Sequence, residues 1–150
     1  MKKILVTGGM GFIGRALCKN LKSSKFLVNV STRTNQSLIK ESIVGFNVGE
    51  IDAKTNWSKA LRNTDCVIHC AARTHMIKEL KKNIIDIYRE VNVQGTINLA
   101  EQAAANGIKR LIFLSSVKVN GERTLELSSF KYNDLPKPED VYGISKWEAE

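Results

Sequence analysis

The segment VTGGMGFIG at residues 6–14 constrains this chain most, because it places four glycines directly after a short apolar run. In a turn from a strand to a helix, glycine is needed at three of these positions, each for a different physical reason. Gly8 permits the tight turn, Gly11 lets the backbone approach a pyrophosphate, and Gly14 lets the helix lie close to the strand. The helix amino terminus then offers unpaired N–H groups to the phosphates. We therefore predict a dinucleotide site here. No Lys-Ser/Thr pair follows, which argues against an ATP-binding P-loop.

Strand and helix signals alternate along the chain. Apolar and β-branched runs predict five strands, at residues 2–7, 26–32, 45–49, 65–72 and 109–116. Helical spacing of apolar residues predicts helices at 12–24, at 55–63 and from about Asn83 to Asn106, where Gly107 is a typical helix stop. Strands separated by helices imply right-handed crossovers. The predicted fold class is therefore α/β, a doubly wound parallel sheet of the Rossmann type with helices on both faces.

After the fifth strand the periodic pattern ends. Residues 119–140 are polar and contain both prolines, so we expect a long loop, and loops of this length are usually functional or disordered. Helical signal resumes in VYGISKWEAE at 141–150, with Asp140 as a plausible cap. A doubly wound sheet normally carries more strands after the fifth. We therefore expect residues 1–150 to be an NAD(P)-binding Rossmann domain that is incomplete at its C-terminus, with the substrate domain absent.

Composition fits an ordinary globular protein, with 43% hydrophobic and 25% charged residues. No apolar run reaches the length of a membrane span, and the apolar stretch after MKK is too short for a signal peptide. Three cysteines (Cys18, Cys66 and Cys70) do not suggest a disulfide framework, so free thiols in a cytoplasmic protein are expected. His69 lies between two of them, but no further ligands are close in sequence, so we expect no metal site.

The formal net charge of +8 raises the question of an anionic partner. The lysines are scattered, without a long block and without interleaved aromatic residues, so we expect a solvated basic face and no nucleic-acid or membrane partner. A small anionic ligand also fits this charge.

The end of the second strand bears on the choice of cofactor. An acidic residue at this position favours NAD, whereas a basic residue can hold the 2′-phosphate of NADP. The chain reads VNVSTRTN here, with Thr32 and Arg33 and no acid. This favours NADP over NAD, with a simple solvent-facing role for Arg33 as the alternative.

Tyr142 and Lys146 form a possible acid–base pair. They are four residues apart, which places both side chains on one face of a helix. A free tyrosine has a pKa of about 10, and a nearby ammonium favours the phenolate and lowers that pKa. Ser115 and Ser116 at the end of the fifth strand supply hydroxyls that can hold the reacting oxygen of a substrate, because α/β sheets bind ligands at the carboxyl ends of their strands.

Taken together, these motifs resemble the extended short-chain dehydrogenase/reductase family, and within it the nucleotide-sugar epimerases, dehydratases and 4-ketoreductases. The resemblance covers essentially the whole chain, and SSVKVNGE at 115–122 looks most like a bacterial subgroup of UDP-sugar 4-epimerase-like proteins of surface-polysaccharide synthesis. The segments that carry the resemblance are TGGMGFIG at 7–14, GEID at 49–52, DCVIHCAA at 65–72, NVQGTINL at 92–99, KRLIFLSSVKVNG at 109–121 and YGISK at 142–146.

The resemblance implies a set of cofactor contacts. These contacts come from the glycine turn, from the ends of the strands and from two helices. Tyr142 and Lys146 are among them. The other implied contacts are Gly8, Gly11, Phe12, Ile13, Gly14, Thr32, Arg33, Glu50, Ile51, Cys70, Ala71, Ala72 and Asn92. Among these, Phe12 and Ile13 would present backbone to the pyrophosphate, while Glu50 and Ile51 would lie near the adenine.

The resemblance also implies a reaction. Ser116 matches the catalytic serine of the family better than Ser115, Tyr142 would exchange a proton with a sugar hydroxyl or keto oxygen, and Lys146 would lower the Tyr142 pKa and hold the nicotinamide ribose. Hydride would move between the nicotinamide and a sugar carbon, usually C4. The implied function is an NAD(P)-dependent UDP-sugar 4-epimerase or 4-keto-sugar reductase. A ketoreductase for another alcohol or ketone, or a catalytically silent remnant, are the alternatives.

The resemblance has two consequences for a chain of 150 residues. Family members are longer, and their C-terminal part supplies most sugar contacts, so we expect weak or no turnover from residues 1–150 alone. Family homodimers often form a four-helix bundle that would use the helix from about Asn83 and the helix beginning at Tyr142. Because the second of these is short here, we do not expect a dimer.

Overall fold

A computed structural model describes residues 1–34, 43–74, 83–124 and 128–150. Within these ranges, five strands form one parallel sheet in the order β3-β2-β1-β4-β5. The strands are β1 (Lys3–Thr7), β2 (Leu27–Thr32), β3 (Ile43–Asn47), β4 (Cys66–His69) and β5 (Leu111–Phe113). The helices are α1 (Phe12–Ser23), α2 (Ser58–Leu61), α3 (Ile84–Arg89), α4 (Gly95–Ala105) and α5 (Val141–Ala149), with a π-helical turn at Glu90–Gln94 and a 3-10 turn at Val117–Val119.

Both faces of the sheet are covered. Leu5 faces one apolar layer, in which it clusters with Trp57 and with Leu99 of α4. Its neighbour Val6 faces the opposite layer, together with Cys18 of α1. Successive strand residues point to opposite faces, so a strand covered on both sides needs a continuous apolar run, as β1 has. The predicted doubly wound α/β fold is confirmed.

The long predicted helix is present with an irregularity. It begins at Ile84 and ends at Ala105, and Gly107 follows it with a φ of +75°, the left-handed conformation that glycine adopts readily. Between α3 and α4 the chain widens into the π-helical turn, which the sequence pattern does not predict. Such turns occur often at functional sites.

The predicted loop at 119–140 agrees with the structure from residue 120 onwards where the structure describes it, while Val119 is the last residue of the 3-10 turn. Residues 125–127 of this segment lie outside the described residues. From 128 to 140 the backbone forms turns and bends without a helix or strand. At its end, Asp140 caps α5 as predicted, since its Oδ1 accepts a hydrogen bond from the Gly143 N–H at 2.6 Å.

The strand order indicates where a ligand site is expected. From β1 the chain builds outward to β2 and β3 on one side and to β4 and β5 on the other. In such sheets the crevice for a ligand lies beyond the carboxyl ends of the strands, where the order reverses. The glycine turn follows β1 at this point. Over the described ranges, none of the helices has the length and apolar character needed to cross a membrane.

Candidate active site

The glycine turn is packed too tightly for side chains at Gly8 and Gly14, where a Cβ would meet backbone atoms. Gly8 has a φ of +66°, and a Cβ there would lie 2.8 Å from the backbone nitrogen of Ala71. A Cβ at Gly14 would collide with the carbonyl oxygen of Gly8. Gly11 is less constrained, because its Cβ would lie 3.3 Å from that same oxygen. The close approach of helix to turn that the spacing predicts is thus present.

The amino terminus of α1 is suited to an anion. Gly11 is its N-cap and has no side chain to occupy the free N–H groups, and the first turn of α1 contains no acidic residue. The Phe12 side chain is 96% exposed and does not cover the turn. These features fit the pyrophosphate of a dinucleotide.

A cleft of about 850 Å³ opens beside this turn. All the predicted cofactor contacts line it except Asn92, Tyr142 and Lys146. The cleft is also lined by residues that were not predicted: Met10, Ser31, Thr34, Val48, Gly49, Arg73, Thr74 and Val91. Most of these adjoin predicted positions in sequence. Val91 belongs to the π-helical turn, and only tertiary packing brings it to the cleft.

Arg33 and Glu50 face each other at the end of the cleft formed by β2 and β3. The guanidinium Nη1 of Arg33 lies 3.7 Å from Oε1 of Glu50, and both side chains are largely exposed. The hydroxyl of Thr32 donates to the carbonyl of Thr34 at 3.0 Å. A cation and a hydroxyl therefore stand where the adenosine ribose of a dinucleotide is expected.

Asn92 is enclosed behind the cleft lining rather than in it, with 1% of its surface exposed. Its Oδ1 accepts the N–H of Arg73 at 2.7 Å, and its Nδ2 donates to the carbonyl of Arg73 at 3.0 Å. The same Nδ2 donates to Oγ of Ser145 at 2.8 Å, and that hydroxyl donates to the carbonyl of Tyr142. Asn92 thus connects the segment after β4 to α5.

A second buried chain of hydrogen bonds passes through His69, which sequence reasoning considered only as a metal ligand. Thr7 Oγ1 accepts the N–H of Ala71, so its proton is free to donate to Nδ1 of His69 at 2.6 Å. Thr96 Oγ1 donates to the carbonyl of Asn92 and therefore accepts from Nε2 of His69 at 3.0 Å. With a neutral His69 ring, both ring nitrogens and the hydroxyls of Thr7 and Thr96 have hydrogen-bond partners. Burial, with a smaller contribution from the charge of Lys146, lowers the pKa of His69 to about 4.

No metal site emerges from this part of the molecule. Within the described residues, no group of three or more His, Cys, Asp or Glu side chains could hold a metal ion. Cys18, Cys66 and Cys70 are free thiols, and burial raises the pKa of each.

Ser116 and Tyr142 are brought together across the sheet edge. The Ser116 side chain lies close enough to Tyr142 to lower the pKa of its hydroxyl, and the Ser116 Oγ accepts the N–H of Lys118 at 3.2 Å. Ser115 points elsewhere and donates to the carboxylate of Glu150. The structure therefore pairs Tyr142 with Ser116, the serine that the sequence comparison favoured.

The charges around Tyr142 differ from those predicted. Burial raises the pKa of Tyr142 and is the largest effect, while the hydrogen bond from Ser116 lowers it. Asp140 raises this pKa and Lys118 lowers it. Sequence reasoning assigned the lowering effect to Lys146, whereas the lysine that exerts it in the structure is Lys118, which is 22 residues from Asp140 in sequence but bonded to it.

Lys146 lies in the protein interior, with 2% of its surface exposed. Its ammonium nitrogen is 3.8 Å from the centre of the Phe113 ring. Burial lowers the pKa of Lys146 to about 8, against smaller opposing effects of Glu150 and Cys70. An amine with such a pKa changes its charge close to neutral pH.

The sheet order, the glycine turn and the cleft at the carboxyl ends of the strands define a dinucleotide-binding protein of the Rossmann class. The chain belongs to the NAD dependent epimerase/dehydratase family, whose model matches residues 4–150.

Known proteins similar to this chain include two curated relatives and a solved structure. UDP-glucose 4-epimerase of Vibrio cholerae is 47% identical over 150 residues, which are 99% of this chain and 45% of that protein. The 2-alkyl-3-oxoalkanoate reductase of Stenotrophomonas maltophilia is 30% identical over 99% of this chain and 44% of its own length. UDP-glucuronic acid 4-epimerase from Bacillus cereus, solved in complex with NAD, superimposes with a TM-score of 0.81 at 27% identity, covering 98% of this chain and 50% of that one. The chain thus spans about half the length of these relatives.

Proposed function

We propose that this chain is the cofactor-binding and acid–base part of an NAD(P)-dependent enzyme that acts on a nucleotide sugar, as a UDP-sugar 4-epimerase or a 4-keto-sugar reductase. One observation carries the proposal. The Ser116 side chain lies close enough to Tyr142 to lower the pKa of that phenol, at the same sheet edge as a cleft lined by almost all the predicted dinucleotide contacts. The similarity to the Vibrio cholerae epimerase supports the choice of substrate class.

The residues of the chain have distinct tasks in this proposal. Ser116 holds the reacting sugar oxygen and Tyr142 gives or takes its proton. Lys146 lies one helical turn after Tyr142 and is the candidate to hold the nicotinamide ribose, while Lys118 is the lysine that lowers the Tyr142 pKa. The nicotinamide, when bound, supplies and accepts the hydride. The backbone of the glycine turn binds the pyrophosphate and fixes the orientation of the cofactor.

A chimera tests this proposal. The chain replaces the matching 45% of the Vibrio cholerae enzyme, and the products formed from UDP-glucose are followed by NMR. We expect conversion to UDP-galactose, with a loss of at least about 100-fold in kcat for Tyr142→Phe, the lower limit of what general acid–base catalysis usually contributes. A folded, dinucleotide-binding chimera that is inactive, or that is equally active with phenylalanine, would contradict the proposal. The chain by itself is expected to bind the dinucleotide without turnover.

For the cofactor, we propose a preference for NADP over NAD. Arg33 directly follows β2, with its guanidinium exposed at the cleft, and no acidic residue lies in the segment VNVSTRTN to bind the ribose hydroxyls. Titration calorimetry of the chain with each cofactor tests this preference. We expect Arg33→Ser to weaken NADPH binding and leave NADH binding nearly unchanged, whereas equal loss for both cofactors would refute a 2′-phosphate contact.

A ketoreductase for another substrate is the second candidate. The observation in its favour is the 30% identity to a 2-alkyl-3-oxoalkanoate reductase over 99% of the chain. The same Ser116 and Tyr142 pair can protonate any ketone oxygen. Oxidation of NADPH by a chimera with a 3-oxo acid, combined with inactivity on UDP-sugars, would favour this candidate over the first.

A further inference from the structure

The turn that carries Ser116 is joined to the helix that carries Tyr142 by an ion pair. Lys118 lies in the 3-10 turn directly after Ser116, and Asp140 caps α5. The ammonium of Lys118 is 2.5 Å from Oδ2 of Asp140 and 2.9 Å from Oε1 of Glu122. Because Glu122 belongs to the same segment as Lys118, it is the bond to Asp140, of these two, that connects the turn with the helix.

Each member of this pair is also fixed to its own segment. The second carboxylate oxygen of Asp140 accepts the N–H of Gly143 at 2.6 Å, which fixes the carboxylate to the first turn of α5. The backbone N–H of Lys118 donates to the Ser116 hydroxyl at 3.2 Å. Movement of the ion pair would therefore move both the serine hydroxyl and the start of the helix.

The backbones of the turn after β5 and of the first turn of α5 are also in close contact. A Cβ at Gly143 would lie 2.7 Å from the carbonyl oxygen of Lys118, so the first turn of α5 rests on the turn after β5. The N–H of Lys137 donates to the carbonyl of Val119 at 2.8 Å and holds the approach to the helix. The Lys118–Asp140 pair thus bridges two segments whose backbones are already in contact, and it fixes how the turn after β5 is aligned with the first turn of α5.

Half-exposed ion pairs contribute little to stability, and the side chains of Lys118 and Asp140 are 35% and 38% exposed. A pair whose carboxylate also caps a helix has a different use, because it restricts where that helix begins. Tyr142 is the second residue of α5 and lies two residues after this cap.

We propose that Lys118 and Asp140 are positioning residues, which lock the turn after β5 to the start of α5 and thereby hold the Ser116 hydroxyl against the Tyr142 hydroxyl. This inference rests on the proposed function for its catalytic meaning, because it is there that Tyr142 exchanges a proton. The test of the positioning role does not require turnover. The positioning role and the proposed function can therefore fail independently of each other.

The test is a double-mutant cycle read out on the ionisation of Tyr142. The chain has three tyrosines, and ¹³Cζ-tyrosine NMR resolves them, with Tyr142→Phe assigning the signal. Ser116→Ala is expected to raise the pKa of Tyr142 by removing the hydrogen bond, and Lys118→Met to raise it by removing a positive charge and the clamp. If Lys118 positions Ser116, the serine substitution has no further effect in the methionine variant, so the two changes are not additive.

Controls separate positioning from charge alone. Lys118→Arg keeps a positive charge that can pair with Asp140, so Ser116→Ala should again raise the Tyr142 pKa in that background. Glu122→Gln removes only the local pair, and Lys137→Met removes an exposed lysine of the same loop, so both should leave the cycle unchanged. Additive shifts for Lys118→Met and Ser116→Ala, with folding verified by circular dichroism, would overturn the proposal. If the methionine variant does not fold, Lys118→Gln takes its place in the same cycle.

Discussion

The ammonium of Lys146 lies 3.8 Å from the centre of the Phe113 ring, at the carboxyl end of β5. An aromatic face attracts a cation, but it replaces little of the hydration that the ammonium loses on burial. Burial accordingly lowers the pKa of Lys146 to about 8. The proposed acid–base site thus contains a cation that is held by packing and is close to losing its proton.

The stability of the chain should depend on pH through Lys146. The folded chain releases this proton near pH 8, whereas the unfolded chain keeps it until about 10.5, the ordinary value. In that window the unfolded state binds more protons, so the free energy of unfolding rises with pH. Urea denaturation at pH 7.5 and pH 10 should show the native chain gaining stability relative to Lys146→Met. Lys146→Arg, which keeps its charge throughout, should show no such gain, and a gain equal to that of the native chain would contradict this assignment.

His69 should make the chain sensitive to acid. Its pKa of about 4 in the folded chain lies below the ordinary 6.5, so stability is lost as pH falls from 6.5 towards 4 and changes no further below that. The loss is at most about 3 kcal/mol, from 1.36 kcal/mol per pKa unit. Denaturation of the native chain and of His69→Gln across this range measures it. An equal pH dependence in the two chains would show that His69 does not cause it.

Substitutions at Gly11 and Gly14, at the start of α1, should affect cofactor binding and stability differently. A Cβ at Gly14 meets backbone, so Gly14→Ala should destabilise the chain by about 1–3 kcal/mol or more, the usual cost of overpacking. A Cβ at Gly11 has more room, so Gly11→Ala should stay folded while it weakens dinucleotide binding, since a methyl group then stands at the phosphate. Thermal unfolding and titration calorimetry measure the two effects. Equal destabilisation by both substitutions would be inconsistent with this geometry.

Gly95 in α4 tests the contact between the central helix and the cleft. Alanine is the better helix former by about 1 kcal/mol. However, a Cβ at Gly95 would lie 2.5 Å from Cγ2 of Ile51, which lines the cleft. We expect the clash to prevail, so that Gly95→Ala lowers the melting temperature and weakens dinucleotide binding. In an Ile51→Ala background the same substitution should become neutral or stabilising, and destabilisation of the same size in both backgrounds would rule out the clash.

The parts of the site that follow directly from strand ends could be predicted. The glycine turn, the residues Cys70 to Ala72 and the segment containing Glu50 and Ile51 all continue from a strand, so their place at the cleft follows from the order of elements. Asn92 was assigned to the cofactor, but the structure buries it behind the lining, where its amide holds the backbone of Arg73. Periodicity can place a residue on a helix, but it cannot tell which backbone groups that residue will meet.

By itself, the sequence determined the α/β alternation, the glycine turn and the candidate pair of Tyr142 and Lys146, because these depend on local spacing and on the periods of helices and strands. Only the tertiary structure decided that Ser115 bonds to Glu150, that Lys118 is the lysine acting on the Tyr142 pKa, and that Lys146 packs on Phe113. The physical reason is that these contacts join segments far apart in the chain. Their distances are set by how the turn after β5 packs against α5, and no local pattern records that packing.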